Sequence, residues 1–203
     1  MMTRALVFFA AIQCCMSLCA KELSIGDKCK SPDGQCEISM VKTVFLWPDN
    51  HLPGLEWKMD FCSIVISKKG VSLKNLIVER RRTHVVWAPD SKFALIADSP
   101  DKGNVKLVVV EVDDWQVEIH DVNFDAVRQL ALREVPVTED VFRTLCVESV
   151  ETISAPAPAS FAGVFRRAGG KKEALVKFEI ARDRRGDGRF VATILSVSKS
   201  DGL

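Results

Sequence analysis

Short apolar runs separated by turn-forming residues restrict the fold of this 203-residue chain more than any other feature. From about residue 36 onward the runs are rich in Val, Ile, Phe and Thr, and clusters of Gly, Pro, Asp and Asn separate them. Because β-branched and aromatic residues fit a pleated sheet, the pattern predicts β-strands. We expect strands near 37–46, 60–67, 73–79, 83–87, 92–97, 104–112, 115–121, 147–153, 160–167, 173–182 and 189–198.

One segment has helical rather than strand spacing. Four of its apolar residues recur along one helical face: Phe124, Val127, Leu130 and Ala131. Asn123 can cap this helix and Pro136 ends it, and a second short helix is expected from Thr138. The sequence therefore predicts a mostly β fold, an antiparallel sheet domain of sandwich or propeller-like type, with one or two short helices inserted near 123–146.

The last two predicted strands are expected to form a hairpin. Residues 174–180 alternate apolar side chains with Lys177 and Glu179, which predicts one buried and one wet sheet face. Residues 190–197 are apolar on both faces, so this strand is expected to lie deeper. The glycines of the linking segment 183–189 favour the reversal.

The first twenty residues have the layout of a cleaved secretory signal. Arg4 precedes an apolar run over 5–12, and Cys19 or Ala20 ends the segment. This run is too short to span a bilayer as a helix. We therefore expect cleavage near residue 20, an exported product in the periplasm or the medium, one β-rich domain over 21–203, and no transmembrane segment in that domain.

Removal of the signal leaves an even number of cysteines, Cys29, Cys36, Cys62 and Cys146. In an exported chain such a set predicts two disulfides, for which three pairings exist. The sequence Pro32-Asp33-Gly34 favours a turn that would bring Cys29 to Cys36, and Cys62–Cys146 follows by elimination. No Cys-x-x-Cys pair occurs and the histidines are far apart, so neither a metal nor another cofactor is expected.

Charge is balanced overall but segregated along the chain. The 28 basic residues include Arg4 of the signal, against 27 acidic ones. Residues 98–151 hold thirteen acidic and five basic residues, whereas 152–203 hold ten basic and five acidic ones. Such segregation can steer a charged partner. We expect a basic protein partner to contact the acidic segment through Asp113, Asp114 and Asp121, and we expect no nucleic acid as a partner.

The segment from Trp87 to Asp113 contains Trp87-Ala-Pro-Asp-Ser-Lys-Phe, a polar turn near 98–104 and an apolar run over 107–112. It resembles one blade of a TolB-type or prolyl-oligopeptidase-type β-propeller, although Ala88 and Ser91 depart from the usual Trp-Ser-Pro-Asp-Gly-Lys turn. The resemblance implies a strand, a tight turn and a strand, and carries no chemistry. Trp47-Pro-Asp is the one upstream segment whose sequence is similar to this turn.

Catalytic signatures are scarce. The chain contains no Gly-x-Ser-x-Gly, no His-Glu-x-x-His and no phosphate-binding loop. His84 and His120 fall in strand patterns, where we expect them to be structural. The sequence thus favours a non-catalytic exported binding domain, such as an inhibitor or immunity protein acting on a secreted or periplasmic enzyme. The alternatives are an envelope hydrolase with a site assembled only in space, and a small propeller scaffold.

Overall fold

The chain folds into two β-sheets and an α-helix, as seen in a computed structural model that describes residues 21–48, 56–78, 82–99, 105–135, 145–152, 160–169, 172–183 and 189–201. The predicted mostly β fold is confirmed, and every predicted strand overlaps an observed one. The elements are β1 (Lys21–Leu23), β2 (Lys28–Lys30), β3 (Cys36–Pro48), β4 (Glu56–Lys68), β5 (Val71–Val78), β6 (Arg82–Trp87), β7 (Phe93–Ser99), β8 (Lys106–Asp113), β9 (Gln116–Asn123), α1 (Asp125–Glu134), β10 (Leu145–Thr152), β11 (Phe161–Gly169), β12 (Lys172–Arg182) and β13 (Phe190–Asp201). The sequence missed β1 and β2, because three residues are too few to show alternation.

The larger sheet has nine strands in the order β1-β6-β7-β8-β9-β13-β12-β11-β10, and the smaller has four in the order β2-β3-β4-β5. Their neighbouring strands are antiparallel except at one joint, where β9 and β13 run parallel over two residue pairs, Phe190 with Val122 and Val191 with Asn123. The edge strand β10 lies close to β6 and β7 without pairing with them. The larger sheet is therefore curled into a half-barrel.

The concave face of the half-barrel encloses the first core. Val127 and Ala131 of α1 are fully buried in it. Phe124 packs edge-on against two further aromatic rings, with centroids 5.1 Å from Phe165 and 5.2 Å from Phe178. These contacts anchor the start of α1 on β11 and β12. The N-cap of α1 is Phe124 rather than the predicted Asn123, although the Oδ1 atom of Asn123 accepts a hydrogen bond from the Asp125 amide at 3.2 Å.

The second core lies between the convex side of β6–β8 and the smaller sheet. Ile38, Ile64 and Ile66 of the smaller sheet are fully buried there against Val85 and Ile96. Strands β6, β7 and β8 are thus buried on both faces and form a wall shared by the two cores. The sequences of these three strands are continuously apolar because neither face of the wall meets water.

The terminal hairpin forms as predicted, but the expected depth of its second strand is wrong. In β12 the side chains of Ala174, Val176, Phe178 and Ile180 are completely buried, which confirms the alternating face. In β13, by contrast, Leu195 is 56% exposed. Lys177 pairs with Ser196 and Phe178 pairs with Ile194, so Leu195 is the unpaired residue of a β-bulge.

The predicted Cys29–Cys36 disulfide is wrong, because both residues are free thiols. The turn at 31–34 does form, through a hydrogen bond from the Gly34 amide to the Ser31 carbonyl at 2.8 Å. The register of β2 with β3, however, places Cys29 opposite Ile38 rather than opposite Cys36. Diagonal Cα atoms on one sheet face are about 7–8 Å apart, whereas disulfides rarely exceed about 6.8 Å.

The second predicted bridge, Cys62–Cys146, is also wrong. Cys62 is a free, buried thiol on β4 and faces the second core. Cys146 lies on β10, the far edge strand of the larger sheet, where it pairs with Arg166. The two residues therefore belong to different sheets. This bridge was predicted by elimination, and the prediction failed because the Cys29–Cys36 bridge on which it rested does not form.

Some predictions fall outside the described residues. These are the secretory signal over 1–20, most of the second helix expected from Thr138, and the turn near Trp47-Pro-Asp beyond Pro48. Within the part of the chain that is described, no helix is long and apolar enough to cross a membrane.

Candidate functional site

The register of the β8–β9 hairpin assembles a polar group on the concave face of the half-barrel. Glu111 lies directly opposite Glu118, and His120 lies opposite Val109. Because side chains alternate along a strand, these three polar residues share the face of Val109, which belongs to the first core. Arg182 at the end of β12 reaches them from across the sheet. We call Glu111, Glu118, His120 and Arg182 the concave cluster.

Glu111 is the centre of the concave cluster. Its Oε2 atom lies 3.0 Å from the Nε2 atom of His120 and 2.6 Å from an Nη atom of Arg182. The Nε2 atom of His120 is also 3.7 Å from a carboxylate oxygen of Glu118. His120 and Glu111 are three-quarters buried, whereas Glu118 is 69% exposed. The cluster thus has a sheltered half and an open half.

The rings of Phe190 and Phe93 pack against the side chains of the concave cluster. The Arg182 guanidinium carbon lies 5.3 Å from the ring centroid of Phe190 and 5.8 Å from that of Phe93. The imidazole of His120 lies 5.5 Å from the same Phe190 ring. Cations stack favourably on aromatic faces, so the two rings hold the guanidinium in contact with Glu111. The cluster is therefore held by packing as well as by charge.

The donor atoms of the cluster define what it can do chemically. One atom each from Glu111, Glu118 and His120 lie within 4.8 Å of one another, which is close enough for all three to contact one cation. A histidine within hydrogen-bond distance of a carboxylate is also the usual arrangement of a general base. Sequence reasoning missed this group because His120 was assigned to a strand without its register. A two-residue loop at 114–115 would have paired Glu111 with Glu118.

The tip of the same hairpin is a second candidate surface. We define the β8–β9 tip as Asp113–Gln116, of which all four residues are exposed. Asp114 adopts a left-handed φ of 47°, which permits the tight two-residue loop. Lys68, from the neighbouring hairpin of the smaller sheet, donates to the Asp114 carbonyl oxygen at 2.7 Å. Its ammonium also lies 5.6 Å from the ring centroid of Trp115.

The structure separates the three predicted partner-binding residues. Asp113 and Asp114 lie together at the β8–β9 tip. Asp121 lies near the other end of β9, where it faces Lys106 at 3.6 Å. Five residues of strand correspond to about 17 Å. Asp113 and Asp121 also point to opposite faces, since Asp121 shares the side of Ile119 and Val117. One partner surface therefore includes the first two residues and leaves out the third.

A groove of about 720 Å³ runs beside His120 along the end of β9 and the start of α1. Its charged lining residues pair largely among themselves. Arg128 holds Asp125 at 2.6 Å, and Lys106 faces Asp121. The lining also includes Arg189, so the groove holds three basic residues against two acidic ones.

The turn after Trp87 has the local structure that the blade resemblance implies. The Asp90 side chain accepts a hydrogen bond from the Lys92 amide at 2.9 Å, and the Ser91 amide donates to the Ala88 carbonyl at 3.0 Å. The indole of Trp87 is buried and donates to the Cys29 carbonyl at 3.1 Å. The contact from Trp87 attaches β2 of the smaller sheet to the shared wall. The relation to a propeller family stays a prediction.

Two Ser-x-x-Lys sequences within the described residues carry the spacing of a serine nucleophile with a lysine base. They run from Ser39 to Lys42 on β3 and from Ser196 to Lys199 on β13, and a third, Ser99 to Lys102, extends beyond the described residues. Residues three apart on a strand point to opposite faces, so neither lysine can reach its serine. The spacing has catalytic meaning on a helix and none here.

Comparison with known proteins gives no family for the chain. No protein-family model, curated protein or solved structure matches it. Within the described ranges, the concave cluster and the β8–β9 tip are the two features on which a function can rest.

Proposed function

We propose that this chain is an exported, non-catalytic protein-binding domain that contacts a basic partner, such as a secreted or envelope enzyme, through the β8–β9 tip. The export part rests on the secretory layout of residues 1–20. The binding part rests on Trp115, which is 49% exposed at a tip held in place by Lys68.

An exposed tryptophan on a fixed tip suits protein recognition. Tryptophan is enriched among the few interface residues that dominate binding energy, because it buries a large area with little loss of side-chain freedom. The hydrogen bond and the cation–π contact from Lys68 order the tip before any partner arrives. A preordered contact loses less conformational entropy on binding, so it binds more tightly.

The charges around the tip indicate the chemistry of the partner. Asp113 and Asp114 directly precede Trp115, and the exposed carboxylate of Glu118 lies on the same face as Asp113. The Asp114 carboxylate also lies 3.5 Å from the Lys68 ammonium. A partner with an apolar pocket rimmed by Lys or Arg would complement this surface. An active-site cleft of a basic enzyme has this form, and a plug in such a cleft would act as an inhibitor.

The test is a pull-down from the exporting cell with the full chain, expressed through its own first twenty residues and tagged at its C-terminus. We expect Trp115→Ala to lower recovery of a near-stoichiometric partner by about 30-fold, as for a binding hot spot. The double variant Asp113→Asn, Asp114→Asn removes charge without straining Asp114, and it should weaken capture more at low salt than at high salt. Asp121→Asn is the matched control and should bind normally.

Two outcomes would overturn the proposal. Equal capture by the wild type and Trp115→Ala would exclude the tip as the contact. An intact N-terminus, with residue 1 still present in the product, would exclude cleavage of the expected signal. Circular dichroism of each variant separates lost binding from lost folding.

A hydrolase is the second candidate function, and the 3.0 Å contact between His120 and Glu111 is the observation that favours it. A histidine oriented by a carboxylate can accept a proton from a nucleophile or from water. Turnover of envelope material that His120→Ala abolishes and Trp115→Ala leaves unchanged would establish this alternative. Turnover that His120→Ala leaves unchanged would exclude His120 as the base.

A further inference from the structure

We propose that Glu111, Glu118 and His120 form a binding site for one divalent transition-metal ion of the zinc type. The site belongs to the concave cluster and shares one residue, Glu118, with the surface proposed to contact a partner.

The hairpin register brings the three ligands to one face. Glu111 and Glu118 are a directly opposed cross-strand pair, and His120 follows Glu118 by two residues, so all three side chains leave the sheet on the same side. A site held by two adjacent strands is more rigid than one held by loops.

The distances suit a small cation. Zinc binds carboxylate oxygen and imidazole nitrogen at about 2.0–2.2 Å, so two of its ligand atoms in tetrahedral arrangement lie about 3.3–3.5 Å apart. The Nε2 atom of His120 is 3.0 Å from the Glu111 oxygen and 3.7 Å from the Glu118 oxygen. The Glu111 and Glu118 ligand atoms lie within 4.8 Å of each other, so a side-chain shift of at most about 1.5 Å would complete the three contacts.

The charges of the cluster also favour a cation. Directly opposed carboxylates such as Glu111 and Glu118 repel each other across a strand pair. Arg182 neutralises one of them, so the group keeps an excess negative charge when the imidazole is neutral. The mixed nitrogen and oxygen donors select zinc-type ions over Ca²⁺ and Mg²⁺, which prefer oxygen alone.

Arg182 is a built-in competitor for this site. Its guanidinium holds the same Glu111 oxygen that His120 contacts. Its positive charge therefore opposes a cation beside Glu111, and stacking on the Phe190 and Phe93 rings keeps that charge near the site. Shortening Arg182 removes the competitor without touching a ligand.

The first test is titration of the full chain with Zn²⁺ at pH 7.5, followed by calorimetry and by the ¹H–¹⁵N imidazole spectrum. We expect one equivalent to bind and the His120 signals to shift, while the signals of His51 and His84 stay in place. Binding of Co²⁺ should give a spectrum without the near-ultraviolet band of thiolate ligation, which excludes the cysteines as ligands.

Variants decide whether the named residues are the ligands. His120→Ala and the exposed Glu118→Gln should each weaken Zn²⁺ binding about tenfold or more, because each removes a ligand. Arg182→Ala should strengthen binding by about tenfold, because it removes a positive charge beside the ion. Asp121→Asn, on the same hairpin but the opposite face, should bind as the wild type does. Unchanged affinity in both ligand variants, or shifts confined to His51 or His84, would overturn the proposal.

Discussion

The Nε atom of Arg167 donates a hydrogen bond to the backbone carbonyl oxygen of Val135 at 3.0 Å, and thereby ties β11 to the end of α1. The arginine is only 2% exposed, so burial lowers the pKa of its guanidinium. Among the described residues, its Nη1 atom has no hydrogen-bond partner. A buried charge with one neutral partner lowers the stability of the fold, whereas the buried volume of the side chain raises it. The charge and the size of Arg167 therefore have opposite effects on stability.

The free energy of unfolding of Arg167→Met should lie within about 1 kcal/mol of the wild-type value, because methionine keeps most of the buried volume and removes the desolvated charge. Arg167→Ala should be less stable than Arg167→Met by about 2–4 kcal/mol, because it leaves a cavity beside the first core. Urea unfolding of both variants provides the comparison. Equal destabilisation would show that the guanidinium itself, rather than its volume, is required.

Lys69→Asn should raise the free energy of unfolding by about 0.5–1 kcal/mol. Lys69 and Gly70 form the two-residue loop between β4 and β5, with positive φ values of 50° and 81°. Asparagine tolerates this conformation better than lysine does, and Asn-Gly is the preferred sequence of such turns. Thermal unfolding measures the gain. Lys74→Asn, in the extended backbone of β5, is the control and should bring no gain.

Asp33→Asn should lower stability at neutral pH, with a loss that disappears in acid. Hydrogen bonds from the Ser31 hydroxyl at 2.6 Å and the Gln35 amide at 3.0 Å hold the pKa of Asp33 below its usual range. The unfolded chain therefore binds the proton more readily than the folded chain does. The stabilisation is complete above the ordinary aspartate pKa of about 4, and it is lost as pH falls through the folded value.

For this exposed carboxylate, solvent screening limits the effect of Asp33→Asn to about 0.5–1 kcal/mol. Urea midpoints of the wild type and Asp33→Asn at pH 7, 4 and 2.5 give the dependence. A difference that stays constant over this range would refute the role of the ionised carboxylate.

The thiols of Cys29 and Cys36 should react slowly in the folded protein. Burial raises the pKa of both, which keeps the reactive thiolate scarce at pH 7.5. We expect iodoacetamide to modify them on the order of 100-fold faster after denaturation in guanidinium without reductant. Peptide mass mapping identifies the sites. Modification that needs a reductant even in guanidinium would mean that the pair is oxidised.

Most strands were predictable because alternation is a local property. The run over 107–112 and the alternation from Ala174 to Ile180 each identify a strand without any knowledge of its neighbours. The depth of β13 was not predictable, since Leu195 is exposed by a bulge that depends on its pairing with β12. The curl of the larger sheet likewise depends on contacts between distant segments.

The candidate site was likewise predictable in one part and not in the other. Glu111, Glu118 and His120 belong to one hairpin, so a correct loop would have placed them together from sequence. Arg182 joins them from β12 across Phe190, and nothing in its local sequence points to Glu111. The disulfide prediction failed by a register offset of two residues, because spacing and a turn cannot tell a diagonal pair from an opposed one.

The parallel joint between β9 and β13 has a consequence for how the chain reaches this fold. On one side of the joint, β6–β9 pair in sequence order, and on the other side β10–β13 do the same. Each half can therefore close its hairpins early, with short loops and small entropic cost. The two pairs that link Val122 and Asn123 to Phe190 and Val191 join segments far apart in sequence. Their formation is the slow, late step that we expect to limit the folding rate.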